Sequence, residues 1–235
     1  MTKKIIVFFV FVFFAWLGAG NRVVHRGGAG GGGGPTPDLL WWKMNASGAT
    51  LTADVGPNGT TDGTQSGGSV LLDGAAQASS SSSLTYGIKT ISMSFWLNSS
   101  TWSSGSARVI ATNQYGAGGG GSWHIYEQFG TLNVVLYDSG GGREEQFTVS
   151  GLSTGAWHHF VIVLDNSTVS GDIKAYVDGS AQTPAFTSDG KAGNNNLLNG
   201  TLYIGIVGET VDDARVYSTE LSGADATAIY GAGRQ

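Results

Sequence analysis

From Asp38 to Ser218 the chain is a succession of short runs rich in β-branched and aromatic residues, broken every few positions by Gly, Asn or Asp. The runs are DLLWWKM (38–44), SVLLDG (69–74), ISMSFWLN (91–98), ARVIATN (107–113), SWHIYEQF (122–129) and TLNVVLYD (131–138). They continue with EEQFTVS (144–150), WHHFVIVLD (157–165), DIKAYVDG (172–179), TLYIGIV (201–207) and VDDARVYS (211–218). Only LSGADATAIYGAG (221–233) reads as helix, with Ser222 as its N-cap. Many strands at short spacing with almost no helix predict a β-sandwich or a barrel. Phe129-Gly130, the SGGG at 139–142 and Asp178-Gly179 supply tight turns, so successive strands are expected to run antiparallel.

Residues 1–20 stand apart. Two lysines precede thirteen apolar residues, Ile5 to Leu17, and Gly18-Ala19-Gly20 follows, which is the layout of a secretory signal peptide or, uncleaved, of an N-terminal anchor. The apolar run is short of the roughly 20 residues that a spanning helix needs. Residues 21–37 form a Gly- and Pro-rich linker with nothing to bury, and residues 38–235 form a single domain. The chain has no cysteine, so that domain must hold itself together without disulfides. All seventeen Asp and Glu lie beyond the leader, against ten Lys and Arg that are scattered, which excludes a basic stripe for nucleic acid. With 12% charged residues and abundant Gly, Ser, Thr and Asn, the surface suits neutral, hydroxyl-rich ligands.

Five fragments in order carry a resemblance: MNASGATLTADVGPNG after the opening strand, SVLLDG, ISMSFWLN, WHHFVIVLDNSTVSGDIKAYVDG, and LYIG followed by VDDARVYSTELSGADATAIY. Over about Leu39 to Tyr230 the chain resembles the laminin G-like, concanavalin A-like lectin and glucanase superfamily. The resemblance implies an all-β fold: a two-sheet antiparallel jelly-roll sandwich with a short C-terminal helix. Alternation within FVIVLD and IKAYVDG agrees, since it separates one set of side chains from the next. Phe95, Leu97, Phe160, Ile162, Leu164, Tyr176 and Tyr203 are the expected core, subject to a one-residue inversion of face.

The fold hosts lectins, adhesion modules and glycosidases alike, so function must come from particular residues. His158 and His159 are adjacent and face opposite ways in a regular strand, so they cannot share an ion. One is expected buried and hydrogen-bonded, the other exposed. The glucanase pattern Glu-x-Asp-x-x-Glu is absent; Glu144 and Glu145 are adjacent, Glu127 is alone, and Glu209 and Asp212 are three apart. There is no Gly-x-Ser-x-Gly elbow either. Catalysis is therefore not expected, although a glycosidase drawing carboxylates from separate strands is the rival. Sugars stack on aromatic rings and bind amides, which selects Trp102, Tyr115, Trp123 and Tyr126 with Asn113 and Gln114 beside the glycine loop 114–122. Trp123 and Tyr126 are three apart and would not share a face of a regular strand. By resemblance, a structural calcium ion would join Asp212 on the closing strand to Asp54 in the ADVGPNG turn. The competing expectation is that Asp54 caps its own turn and that Asp212 or Asp213 pairs with Arg215. The expected protein is a secreted or surface-held module that binds carbohydrate or another extracellular surface ligand, with no nucleic-acid partner and membrane attachment only through an uncleaved leader.

Overall fold

A β-strand leaves backbone donors and acceptors along both edges, so runs this short are stable only when paired sideways and stacked on a second layer. The computed structural model describes residues 34–44, 49–61, 64–65, 70–72, 78–80, 84–85, 87–100, 102, 108–112, 123–137, 143–167, 172–183, 197, 199–204 and 209–234. In chain order the strands begin with β1 (Leu40–Trp42), β2 (Thr50–Leu51), β3 (Ala53–Val55), β4 (Gly59–Thr61), β5 (Thr64–Gln65), β6 (Val70–Leu72) and β7 (Ala78–Ser80). They continue with β8 (Leu84–Thr85), β9 (Thr90–Ser99), β10 (Arg108–Thr112), β11 (Trp123–Gln128), β12 (Thr131–Tyr137) and β13 (Arg143–Val149). The rest are β14 (Trp157–Asp165), β15 (Asp172–Val177), β16 (Ser180–Ala181), β17 (Asn199–Gly200), β18 (Tyr203–Ile204) and β19 (Glu209–Tyr217), before the helix α1 (Gly223–Ala232).

The first sheet has the order β16-β15-β14-β9-β19-β1-β3, with β6 also on β19 and β5 on β6. The second has the order β13-β12-β11-β10-β18-β7-β4-β2, and β8 pairs with β17 apart from both. Every registered pair is antiparallel, so the fold is the expected two-sheet jelly-roll sandwich with one helix after the last strand. The short strands between Thr50 and Thr61 are absent from the sequence reading, because two or three residues cannot display a period of two.

Leu40 and Trp42, Met93, Phe95 and Leu97, Phe160, Ile162 and Leu164 face Trp123, Ile125, Leu132, Val134, Leu136 and Phe147 in the core between the sheets. On β14 the alternate residues Val161 and Val163 point outward but are also buried, under Leu221, Ala226 and Ile229. That second cover explains why the strand reads as a continuous apolar run rather than an alternating one. Two expected core residues sit elsewhere. Tyr176 pairs with outward-facing Val161 and packs in the outer cluster beside α1, while Ile173, Ala175 and Val177 face inward. Tyr203 is half-buried, and its neighbour Ile204 takes the core position. A strand's parity decides both cases, and apolar character alone does not reveal it.

Ser222 caps α1: its hydroxyl accepts the Asp225 backbone N–H at 3.2 Å, while the Asp225 carboxylate accepts the Ser222 N–H at 2.8 Å. Residues 1–33 lie outside the described residues, but the last residues of the expected linker belong to the fold. Pro37 is buried, the Tyr217 hydroxyl donates to the Pro35 carbonyl at 3.2 Å, and a Cβ on Gly34 would stand 2.5 Å from Ile229. Near β3, Gly56 has φ +77°, and a Cβ there would lie 2.1 Å from the Leu39 carbonyl oxygen. Gly56→Ala must therefore separate β1 from the turn after β3, and a loss of about 3 kcal/mol is expected in urea unfolding.

Candidate functional site

The outer face of the second sheet is built by period-two alternation from β11, β12 and β13. Trp123, Ile125, Leu132, Val134, Leu136 and Phe147 point into the core, so His124, Tyr126, Asn133, Val135, Tyr137, Gln146 and Thr148 point out. Register places Tyr126, Asn133 and Thr148 in one cross-strand row and His124, Val135 and Gln146 in the next. The Asn133 amide donates to the Thr131 carbonyl at 3.3 Å; a carbonyl only accepts, so this fixes the nitrogen side. Its oxygen then accepts from Gln146 Nε2 at 2.8 Å and Thr148 Oγ1 at 3.1 Å. Tyr137 lies against the His124 ring with centroids 5.1 Å apart. Asn133 and Gln146 are buried, whereas His124, Tyr137 and Thr148 are half-buried at the patch surface. Among the described side chains of this face none is Asp, Glu, Lys or Arg, and those that reach its surface offer two rings and a hydroxyl, which is chemistry for a neutral ligand.

At the β11–β12 turn, Phe129 and Gly130 have φ of 51° and 77°, a two-residue hairpin turn of the primed kind. Phe129 is 73% exposed, so the ring gains no packing in return for a backbone conformation that suits Asn or Gly. Phe129→Asn is expected to stabilise the fold by about 1 kcal/mol in urea unfolding, since Asn tolerates this region best after Gly.

Of the residues selected from sequence for sugar binding, Tyr126 lies on this patch, at 7% exposure. Asn113, Gln114 and Tyr115 lie outside the described residues. Trp102 and Trp123 require correction: they are 2% and 0% exposed and cannot offer a ring face to a ligand. Trp123 Nε1 donates to the Leu197 carbonyl at 2.7 Å, and Trp102 leans on Phe160 in the core. The physical reason is parity, because Trp123 is on the same side as Ile125 and opposite to Tyr126. Asn133 was missed although its signal was present: a two-residue turn at Phe129-Gly130 pairs Gln128 with Thr131 and therefore Tyr126 with Asn133. Gln146 and Thr148 could not be placed this way, because the β12–β13 register shifts at Leu136/Tyr137.

His158 and His159 do face opposite ways. His158 Nε2 accepts the Ser153 backbone N–H at 3.1 Å, so the proton sits on Nδ1, which donates to Asp178 Oδ2 at 2.8 Å. The Ser153 hydroxyl is 2.8 Å from the same Nε2, and Asp178 Oδ1 accepts the His159 backbone N–H at 2.9 Å. The set ties the loop before β14 to the β15–β16 turn. Glu127 and Glu209 are both fully buried and share the inward parity of Ile125 and Val211, so they do not face one another across a surface cleft. The side chains of Glu144 and Glu145 lie outside the described residues.

The outer face of the first sheet carries the other candidates. Asp213 adopts φ 48° in a β-bulge, where β19 shifts register against β9 between Asp212 and Arg215. The extra residue turns both acids outward. Asp213 pairs with Arg215 through Nε–Oδ1 at 2.9 Å and Nη2–Oδ2 at 2.5 Å, and accepts Trp41 Nε1 at 2.7 Å. Asp212 is 1% exposed; Arg234 lies 3.5 Å from its Oδ2, and among the described residues its Oδ1 has no partner. Burial pushes its carboxyl up to about 7, with Asp213 adding to the shift and Arg234 and Arg215 opposing it. His159 is fully buried, and its Nε2 lies 2.9 Å from Ser94 Oγ. Burial and then Arg215 push it down to about 4, against Asp178.

The expected calcium pair does not fit this arrangement. Asp54 is held by Lys43 at 2.5 Å on the far side of β1, and Asp212 faces Arg234. Among the described residues no three His, Asp or Glu groups gather as metal ligands. Nor is any helix among them long and apolar enough to cross a membrane.

The chain matches a family model described as the concanavalin A-like lectin/glucanases superfamily over residues 66–227. No curated protein matches it. Solved structures similar to it include the receptor binding domain of botulinum neurotoxin C/D mosaic serotype, at 18% identity and TM-score 0.61, covering 83% of this chain and 51% of that one. Another is the botulinum neurotoxin serotype D ligand binding domain in complex with N-acetylneuraminic acid, at 17% identity and TM-score 0.59, covering 83% and 50%. A third is the binding domain of botulinum neurotoxin DC in complex with rat synaptotagmin II, at 13% identity and TM-score 0.63, covering 83% and 51%. The chain thus spans about half the length of these structures, and the likeness is one of fold. Because the family match takes in more than half of the chain, and the strands it takes in build both sheets, the chain belongs to the concanavalin A-like lectin/glucanases superfamily.

Proposed function

We propose that this protein is a non-catalytic binding module, secreted or held at an outer surface, that recognises carbohydrate through the outer face of its second sheet. The observation that carries the reading is the half-buried group of His124, Tyr137 and Thr148, in which two rings 5.1 Å apart stand near a hydroxyl above the buried amides of Asn133 and Gln146. Similar folds serve as binding domains, one of them solved with a sialic acid. The buried, inward-facing Glu127 and Glu209 weigh against the glycosidase rival, which needs two carboxyl groups flanking a bound sugar. Calcium is not part of this reading, because the two carboxylates in question lie on opposite sides of β1, Asp54 beside Lys43 and Asp212 beside Arg234.

A glycan array probed with the full chain, with and without calcium, tests it. Binding in both conditions that weakens on Thr148→Ala or Tyr137→Ala is the expected result, and silence across the array in both conditions removes the proposal. A protein ligand is the second reading, favoured by Phe129, whose exposed ring occupies a strained turn position at the end of the same hairpin. There Phe129→Asn would abolish partner binding while leaving the fold more stable.

A further inference from the structure

Arg234 lies just beyond α1, and its guanidinium stacks over the Trp157 ring at 4.1 Å while standing 3.5 Å from Asp212 Oδ2. Asp212 and His159 flank Trp96 in register on neighbouring strands, and Trp157 lies two residues before His159 on the same face. Tyr230 stacks on Trp96 at 5.6 Å from the helix side. The result is a carboxylate set among indole rings, which is the chemistry that receives a cation.

Among the described residues two buried atoms at this place have no partner, Asp212 Oδ1 and His159 Nδ1, the latter an acceptor when Nε2 carries the ring proton, and a guanidinium can donate to both. Their residues are 1% and 0% exposed, so solvent at the surface does not serve them. Arg234 fills the place incompletely. Its guanidinium stands 3.5 Å from one Asp212 oxygen, its side chain is 39% exposed, and it follows Gly233 at φ 72°, beyond the end of the helix. An arginine fixed to that backbone reaches one carboxylate oxygen at 3.5 Å, whereas an untethered guanidinium can address both oxygens and still lie flat on Trp157.

We propose that Asp212, Trp96 and Trp157 form a guanidinium-binding site on the first sheet, occupied by the chain's own Arg234 and able to take an arginine side chain of a partner protein in its place. A lysine ammonium fits less well, since it neither stacks as a plane nor pairs bidentately. The site is on the opposite sheet from the proposed carbohydrate patch, so the two stand or fall separately.

Arg234→Ala in the full chain tests the site, with N-acetyl-arginine amide as probe at constant ionic strength, at a pH well above the value of about 7 to which the Asp212 carboxyl is raised, and with tryptophan fluorescence and melting temperature as readouts. The variant should melt about 2–4 °C lower, the shift that about 1 kcal/mol produces in a chain of this size. The probe should restore that loss and change the fluorescence saturably at millimolar concentration. The unmodified chain should need several-fold more probe, because Arg234 competes. N-acetyl-lysine amide should act more weakly, and Arg234→Ala combined with Asp212→Asn should abolish the response. Equal responses to the two probes, or an unchanged response in the double variant, would overturn the proposal.

Discussion

Arg215→Met lowers the stability of this protein by about 3–5 kcal/mol, the largest single effect expected from the outer face of the first sheet. Arg215 and Asp213 are 4% and 0% exposed, and their bidentate pair is the means by which either charge tolerates the interior. Removing the guanidinium leaves the buried Asp213 carboxylate without its bidentate partner and strips a cation from the Trp41 face, where Arg215 stands 4.7 Å from the ring centroid. The double variant Arg215→Met with Asp213→Asn should recover much of the loss, because Asn keeps an oxygen for Trp41 Nε1 and no charge is left uncompensated. Urea unfolding of the two single variants and the double gives the coupling energy directly. A double variant no more stable than Arg215→Met would show that packing, rather than charge, holds this bulge.

The second large effect is a pH dependence hidden by cancellation. The Asp212 carboxyl, raised from 3.8 to about 7, holds its proton more tightly in the folded chain; its contribution is complete below pH 3.8 and is lost as pH rises to about 7. His159, lowered from 6.5 to about 4, behaves oppositely: its contribution is complete above pH 6.5 and is lost as pH falls to about 4. Between pH 4 and 6.5 the two slopes oppose each other, and the parent protein should show little net change from this pair. Asp212→Asn should unmask a stability that climbs with pH across that window, and His159→Asn one that declines. Each amounts to roughly 3 kcal/mol, since a tenfold change in proton affinity corresponds to about 1.4 kcal/mol. Urea midpoints taken at half-unit steps of pH read both slopes. Parallel profiles for the two variants would mean that these groups are not the ones titrating.

Much of the sandwich was legible because its longer strands carry their own evidence. The run WHHFVIVLD forms a strand over Trp157–Asp165, and Ser222 caps the only helix among the described residues. Local chemistry suffices in such places: β-branched residues fill a pleated surface, and a serine followed three residues later by an acid satisfies the first turn of a helix. The site residues were legible only in part. Tyr126 was selected for its ring and lies on the outer face of the sheet, where it is only 7% exposed, while Trp123, chosen on the same grounds, went into the core. Ring chemistry is a property of the residue, but access to a ligand depends on which face of the sheet it occupies.

Sequence by itself determined that this chain must be a layered antiparallel β protein, that its two histidines would diverge, and that its turns would use Phe129-Gly130 and Asp178-Gly179. Those are consequences of chirality, pleat and glycine geometry acting over a few neighbouring residues. Sequence expected Arg215 to pair with Asp212 or Asp213, and only the tertiary structure decided that it would be Asp213, that Asp212 would face Arg234 instead of Asp54, and that Asn133 and Gln146 would lock together beneath the patch with Thr148 bonded to them from its surface. These outcomes follow from a bulge at Asp213, which moves side chains between the faces of β19, from a register shift within the β12–β13 hairpin, and from the docking of α1 on the first sheet.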